Sequence, residues 1–520
     1  MSSGKPHLKD RILLGLAHYL DRRMDRRAQR SLPDAPGSRK GPRVWVVLLL
    51  IIALIVPALS MVPVFRRHQD ANQASRSVED QTAQKFRAKL PENARYAIDP
   101  DGEERLLYQC VAPNSARAIA RKIYNFSAVF QSDDLADAIE KANPTKFNKK
   151  QRCITGEELA IPEALFAPIQ NTALGWPVDR PVHAMYLRGD NTRPGRLERE
   201  VERMREIGAN GVVFDVKDII GVVNYRSSVP EVEAMRRHSP PIRNLAKTIK
   251  YLHDQGIYVI ARTALFQDEN LAINRPDLAI KDRGAPNGIL LVKGKPLWVD
   301  AGRPEVRKYN LKIVQELVTL GVDEIQFDYI RYPAEGNLSQ VEYYKLPDAN
   351  HKTDYLVNFL AGAFLLTRPT DVRVSIDIFG IVAWGEEVDI RATGQRLNRM
   401  ATFVDVISPM LYPSHFNSGF DGFENPADEG YHFYYEGVKR VLELSEKPGL
   451  VVRPWLQAFR WRVKNYNERY IRQQINGNHS GGGIGWMMWN AGNDYDLVYR
   501  ALRNRELTNG NGEKQNRNEI

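Results

Sequence analysis

Cysteine is almost missing from this chain: Cys110 and Cys153 are the only two in 520 residues. Two thiols cannot supply a structural zinc site of the usual four-ligand kind. Neither lies at the end of a strand candidate, so no cysteine nucleophile is on offer, and no strand end brings three histidines together. A Gly-rich phosphate loop after the first strand of the main domain is also lacking, which argues against a doubly wound dinucleotide-binding sheet. Charge of one sign runs out early. Of the net +10, residues 1–43 hold 11 Lys/Arg against 4 Asp/Glu, or +7, which leaves +3 for the remaining 477 residues. That nearly neutral remainder shows no nucleic-acid footprint.

What is present is a globular composition, 43% hydrophobic and 26% charged, in a chain long enough for two or three domains. One long apolar run, Val44–Phe65, carries no charge over 22 residues. As a helix it would extend about 33 Å, enough to cross a bilayer core. The basic flank before it predicts a single-pass inner-membrane anchor with the N-terminus, residues 1–43, in the cytoplasm. Everything after Arg66 would then lie in the periplasm or outside the cell. A cleaved signal peptide is the alternative, disfavoured by the long head and the long apolar run. Within the head, Leu8, Ile12, Leu16 and Leu20 recur every four residues. They describe a basic amphipathic helix lying on the anionic leaflet, or else one that is solvated or partner-bound. An oxidising compartment would let Cys110 and Cys153 pair, and two buried free thiols are the alternative.

Residues 66–104 are polar and read as a linker. The next segment, 105–165, has helical patterns at Ala116–Ile123 and Leu135–Asn143, an Asn-Pro turn, and a short strand at Leu159–Pro162. The stretches IARKIY (119–124), ANP (142–144) and TGEELAIP (155–162) resemble the LysM module, a small α+β domain that binds N-acetylglucosamine-containing glycans. This segment departs from that family in a longer connection between the helices and in its added cysteine pair. A structural spacer is the alternative reading.

From Trp176 the pattern changes to short β-rich runs alternating with amphipathic helical stretches. Strand candidates are 182–187, 211–216, 257–262, 324–330, 372–379, 404–411, 451–459 and 484–490. Eight βα units between 176 and 503 predict an α/β fold, a (β/α)8 TIM barrel, with 504–520 as a disordered tail. In such a barrel the chemistry sits at the C-terminal ends of the strands. Those ends offer Asp215 and Lys217, Arg262, Asp328 with Arg331, Asp377, Tyr412, Gln457, and Trp489 with Asn490. Carboxylates, amides and aromatic faces suit a sugar. Asp328 and Asp377 stand on strands expected to be neighbours, so their carboxyl groups would approach the spacing of a glycosidase acid pair. Period-two alternation in DEIQFDYIRYP (323–333) points Asp328 one way and Phe327 and Tyr329 the other. Asp328 should therefore face the lumen and the aromatics the helices.

The segments FDVKDIIGVVNY, ARTALFQDENLA, RPDLAIKD, PLWVDAGRPEVRKYN, VDEIQFDYIRYP, VSIDIFG and VISPMLYPSHF are similar to a glycoside hydrolase family with a TIM-barrel domain found in bacterial exported proteins. The similarity spans about Pro181 to Asn493, with FDYIRYP (327–333) as its densest motif. It implies Asp328 as nucleophile and Asp377 as acid/base, with Glu386 and Glu387 as rivals for the second role. Asp215, Lys217, Arg262, Arg331, Tyr412, Gln457, Trp489 and Asn490 complete the substrate-binding set, Asp215 and Lys217 reading as a mutual ion pair that shapes the site. No cofactor or metal is called for. The expected partners are a polysaccharide or peptidoglycan-type glycan, and the membrane through one helix. The competing reading is an inactive, glycan-binding barrel that scaffolds envelope machinery. A metal-dependent hydrolase or deacetylase would need a His/Asp cluster that the sequence does not supply.

Overall fold

A computed structural model describes residues 80–503. The basic head 1–43, the apolar run 44–65, the linker as far as residue 79, and the tail 504–520 lie outside the described residues. Among the described residues, no helix is long and apolar enough to cross a membrane.

The N-terminal module is a three-stranded antiparallel sheet, β1 (Ala94–Ile98), β2 (Glu104–Gln109) and β3 (Glu158–Ile161), in the order β1-β2-β3. Two helices, α1 (Ala116–Ile123) and α2 (Ser132–Ala142), connect β2 to β3. Ser115 caps α1 by accepting from the Ala118 N–H, satisfying a donor that helix geometry leaves open. Residues expected as linker belong here. β1 pairs along its whole length with β2, and Phe86 and Leu90 pack on the module core. Cys110, just after β2, forms a disulfide with Cys153, shortly before β3.

The second part is a curled parallel sheet wrapped by helices. Its strands are β4 (His183–Leu187), β5 (Gly211–Lys217), β6 (Tyr258–Ala264), β7 (Glu324–Asp328), β8 (Arg373–Phe379), β9 (Val406–Met410), β10 (Val451–Val452), β11 (Trp455–Gln457) and β12 (Trp486–Trp489). The order is β10-β9-β8-β7-β6-β5-β4-β12-β11. The two ends of that order are two residues apart in sequence, because β10 and β11 are halves of one strand interrupted at Arg453-Pro454. β10 pairs with β9 and β11 with β12. The Arg453 N–H still donates to Ile407 O at 3.0 Å, and Pro454 O accepts from Met487 N–H at 3.0 Å. The sheet therefore meets itself, and the whole fits a (β/α)8 barrel with the eight expected strands in the expected places.

Alternation sorts the two faces. Ile325 and Phe327 of β7 look outward into the helical layer, where the Phe327 ring meets Phe359 edge-on at 5.0 Å on helix α6 (Lys352–Thr367). Glu324, Gln326 and Asp328 look into the lumen. Helix α5 (Pro304–Leu320) ends at Gly321 with φ 76°, where a Cβ would also strike the backbone of Asn171, so glycine is required twice over. The strand stops earlier than the sequence pattern suggests. Tyr329 takes φ 52° and turns the chain out of the sheet directly after Asp328.

The module and barrel belong to one compact unit. After α3 (Leu197–Arg205), helix α4 (Leu245–Asp254) of the barrel receives the module. Lys247 is almost wholly buried and donates to Tyr124 O and to Val129 O, the latter at 2.9 Å, while its ammonium lies 3.7 Å from the Tyr124 ring centroid. Phe130 stacks on Tyr251 at 4.5 Å. Burial pulls the Lys247 pKa down to about 7. Below the barrel, the Leu174 N–H donates to Asp323 Oδ1, and Trp176 rests on Tyr258 at 5.2 Å as a floor to the lumen.

Candidate active site

Six strands of the barrel deliver side chains to one buried electrostatic centre, organised by Arg262 of β6. Its guanidinium pairs with Asp215 of β5 and, through Nε (3.1 Å) and Nη2, with Asp328 of β7. Asp377 Oδ2 of β8 stands 3.9 Å from the same Nε. With 3.1 and 3.9 Å to the same nitrogen, the facing oxygens of Asp328 and Asp377 can be no more than about 7 Å apart, inside the reach of about 10 Å expected of an acid pair. Tyr186 of β4 donates its hydroxyl to Asp215 Oδ2 at 2.6 Å, and Trp455 of β11 donates its indole N–H to Asp377 Oδ1 at 2.8 Å. Asp328 Oδ1 accepts the Tyr329 N–H at 2.6 Å, a bond made available by the left-handed turn at that residue.

Three carboxylates around one cation cannot all stay ionised at low dielectric without strain. Asp377 has the weakest hold on Arg262 and is the most enclosed, 1% exposed, and its Oδ2 has no hydrogen-bond partner. Burial first, and the neighbouring Asp328 charge second, push its pKa well above the ordinary carboxyl range. The pair is thus unequal: Asp328 is held by the Arg262 guanidinium, and Asp377 beside it is favoured in its protonated form. Arg262 occupies the space between the acids where a cation would go, and among the described residues no group of three or more His, Cys, Asp or Glu could hold a metal ion. Deeper in the lumen, Glu324 forms a second, fully buried pair with Arg453 at 2.7 Å, and Tyr258 donates to the same carboxylate at 3.2 Å. The break at Arg453-Pro454 releases the Arg453 side chain from the strand pattern and turns it inward.

Tyr412 lies near the acids, and Trp489 packs beside Tyr412. Their rings are 5.6 Å apart, and the phenol of Tyr412 feels both Asp377 and Asp328. Four expected ligands are placed elsewhere. Lys217 is fully buried outside the lumen and pairs with Asp268 at 2.7 Å, not with Asp215. A register shift between Asp215 and Lys217 inserts one residue into the ladder and reverses the facing that a spacing of two implies. Arg331 is buried against Phe379, 3.9 Å from the ring centroid, and paired with Glu335 at 2.7 Å. Gln457 gives its amide to backbone at both ends, accepting from Ser414 N–H and donating to Phe459 O. Asn490 likewise holds its own loop, donating to Ala458 O and accepting from Gly492 N–H. The rivals for the acid role stay outside: Glu386 is exposed and Glu387 pairs with Arg396 on the surface. Tyr186 and the role of Trp455 toward Asp377 were absent from the expected ligand set. Both were accessible in principle, as inward-facing aromatic donors near strand ends.

Residues 184–495, more than half of the chain, match a family described as "Putative glycosyl hydrolase domain". A curated relative, an S-layer-related protein of Niallia circulans, is 27% identical over 157 residues. That match covers 25% of this chain and only 10% of the relative. Among solved structures, the PgaB (BpsB) glycoside hydrolase domain from Bordetella bronchiseptica is 16% identical. The match covers 62% of this chain and 98% of that one, with a TM-score of 0.48. The Bacillus megaterium spore cortex-lytic enzyme SleL is 11% identical over 77% of this chain and 88% of its own, with a TM-score of 0.38. The extent of the family match settles the identity: the chain belongs to the "Putative glycosyl hydrolase domain" family.

Proposed function

We propose that this protein is a membrane-anchored glycosidase that cleaves an envelope or extracellular polysaccharide with Asp328 as nucleophile and Asp377 as acid/base. The observation that carries this reading is the unequal pair on Arg262: one carboxylate held by the guanidinium, one carboxyl beside it with a strongly raised pKa. In the first step Asp377 would give its proton to the glycosidic oxygen while Asp328 attacks the anomeric carbon. In the second, Asp377 would take a proton from water, which displaces Asp328. The anchor is assigned to 44–65 and the site of action to the outside of the inner membrane, a placement that the Cys110–Cys153 disulfide supports. The N-terminal module is read as LysM-like. Its β2–α1 and α2–β3 connections are tied together by that disulfide and carry the exposed Val111 and Ile154, an apolar rim suited to a glycan face.

One observation favours the inactive scaffold instead. Asp215 and Asp328 are both engaged by Arg262, and Asp377 is enclosed. A screen of the protein on envelope glycans separates the two readings. Native chain should release reducing ends, and Asp328→Asn should lose at least about a thousandfold in kcat, as removal of a covalent nucleophile does. Equal cleavage by both would remove Asp328 from the mechanism, and binding without cleavage by the native chain would establish the scaffold.

A further inference from the structure

Tyr412, Phe459 and Trp489 pack together in one apolar cluster, and His415 and Trp461 continue the row of rings beyond that packing toward solvent. Tyr412 is 7% exposed, Trp489 and Phe459 are half-buried, His415 is exposed, and Trp461 is 56% exposed. Each ring touches the next. Tyr412 lies 5.6 Å from both Trp489 and Phe459, and 5.2 Å from His415, which in turn meets Trp461 edge-on at 5.2 Å. Trp461 is exposed but not loose. Arg462, in a left-handed conformation at φ 61°, anchors the turn by donating to Ser414 O at 2.7 Å, and its guanidinium lies 5.6 Å from the Trp461 ring. A large apolar ring displayed to water, next to a residue in a conformation disfavoured without glycine, reduces stability unless the display has a use.

We propose that Tyr412, His415 and Trp461, flanked by Phe459 and Trp489, form a stacking shelf that holds several consecutive sugars on one side of the scissile bond. The substrate is then a polymeric glycan and not a small glycoside. The proposal rests on the glycosidase reading of the same site. Pyranose rings present C–H-rich faces to the electron-rich faces of aromatic rings, and a row of such rings graded from buried to exposed can accept a strand without reading each hydroxyl. The continuity of the row with Tyr412, which faces the acids, assigns it to substrate and not to a protein partner.

The test is affinity electrophoresis of the full-length protein through gels containing glycol chitin, xylan, carboxymethylcellulose, a soluble β-1,3-glucan or soluble starch. The native chain should be retarded by at least one of these. Trp461→Ala should weaken that interaction roughly five- to tenfold, and Trp461→Phe, which keeps an aromatic face, should restore most of it. Equal retardation of native and Trp461→Ala chains overturns the shelf and leaves the glycosidase reading standing. A native chain retarded by none of the five overturns both. If Trp461→Ala instead turns a dimer into a monomer on gel filtration without polysaccharide, the rings serve a second copy of this chain and the proposal falls.

Discussion

Asp377 is the residue on which the chemistry turns, and its environment makes two outcomes predictable. Its pKa is raised in the fold, whereas in the unfolded chain it titrates near about 3.9. Below that pH both states hold the proton and nothing is lost. As pH rises above it, the unfolded chain releases a proton that the folded chain retains, so stability falls progressively toward the raised pKa. Asp377→Asn carries no such proton. It should therefore be inactive, equal to the native chain in stability near pH 4, and more stable by about 1–3 kcal/mol at pH 7–8 in denaturant melts. Equal stability at both pH values would mean that the carboxyl is not held neutral. Trp455→Phe removes the donor that favours the ionised form. The pKa of Asp377 should then climb further, and the alkaline limb of the kcat/KM profile should move to higher pH. A limb that stays in place would detach Asp377 from the acid role.

At the scale of strands and loops, what the sequence discloses is the pattern, and what it hides is the exception. Eight strands were legible because period-two alternation and glycine-terminated helices survive in the fold, and DEIQFDYIRYP showed that Asp328 turns inward while Phe327 turns to the helices. Lys217 was misread because one slipped residue in β5 reverses a facing that no spacing reveals. Arg331 was misplaced because the chain leaves the sheet at Tyr329, two residues before it. Gln457 and Asn490 have ligand-like chemistry, but backbone groups two residues on and in other segments had already claimed their amides. The Arg453-Pro454 interruption was visible as a proline, yet its effect, an arginine turned into the lumen toward Glu324, depends on a partner 129 residues away. The disulfide yields an element-scale prediction. It closes a loop of sequence separation 43 in a module without tryptophan. Reduction should destabilise the module by about 3–4 kcal/mol. Far-UV circular dichroism should then show an early transition that tryptophan emission, reporting the barrel, does not follow. Coincident loss of both signals would show that the barrel unfolds with the module.

Across the whole molecule, module and barrel are joined through Lys247. Replacing it with methionine fills the space but leaves Tyr124 O and Val129 O without their donor, at a cost of about 1–3 kcal/mol to the docking. Limited proteolysis should then cut the 166–176 connection faster, while native chain resists. Unchanged cleavage would mean that the Phe130–Tyr251 stack, with the hydrogen bonds from Arg243 to Arg121 O and from Asn244 to Asn125, holds the interface without Lys247. The arrangement also bears on inheritance. A barrel transferred to another protein without its module would carry Lys247 on a helix face shaped for carbonyls it no longer meets. Without residues 171–176 it would also lose the floor over Tyr258. A stable transfer of this barrel should therefore carry the module with it, so that the two folded parts behave as a single heritable block.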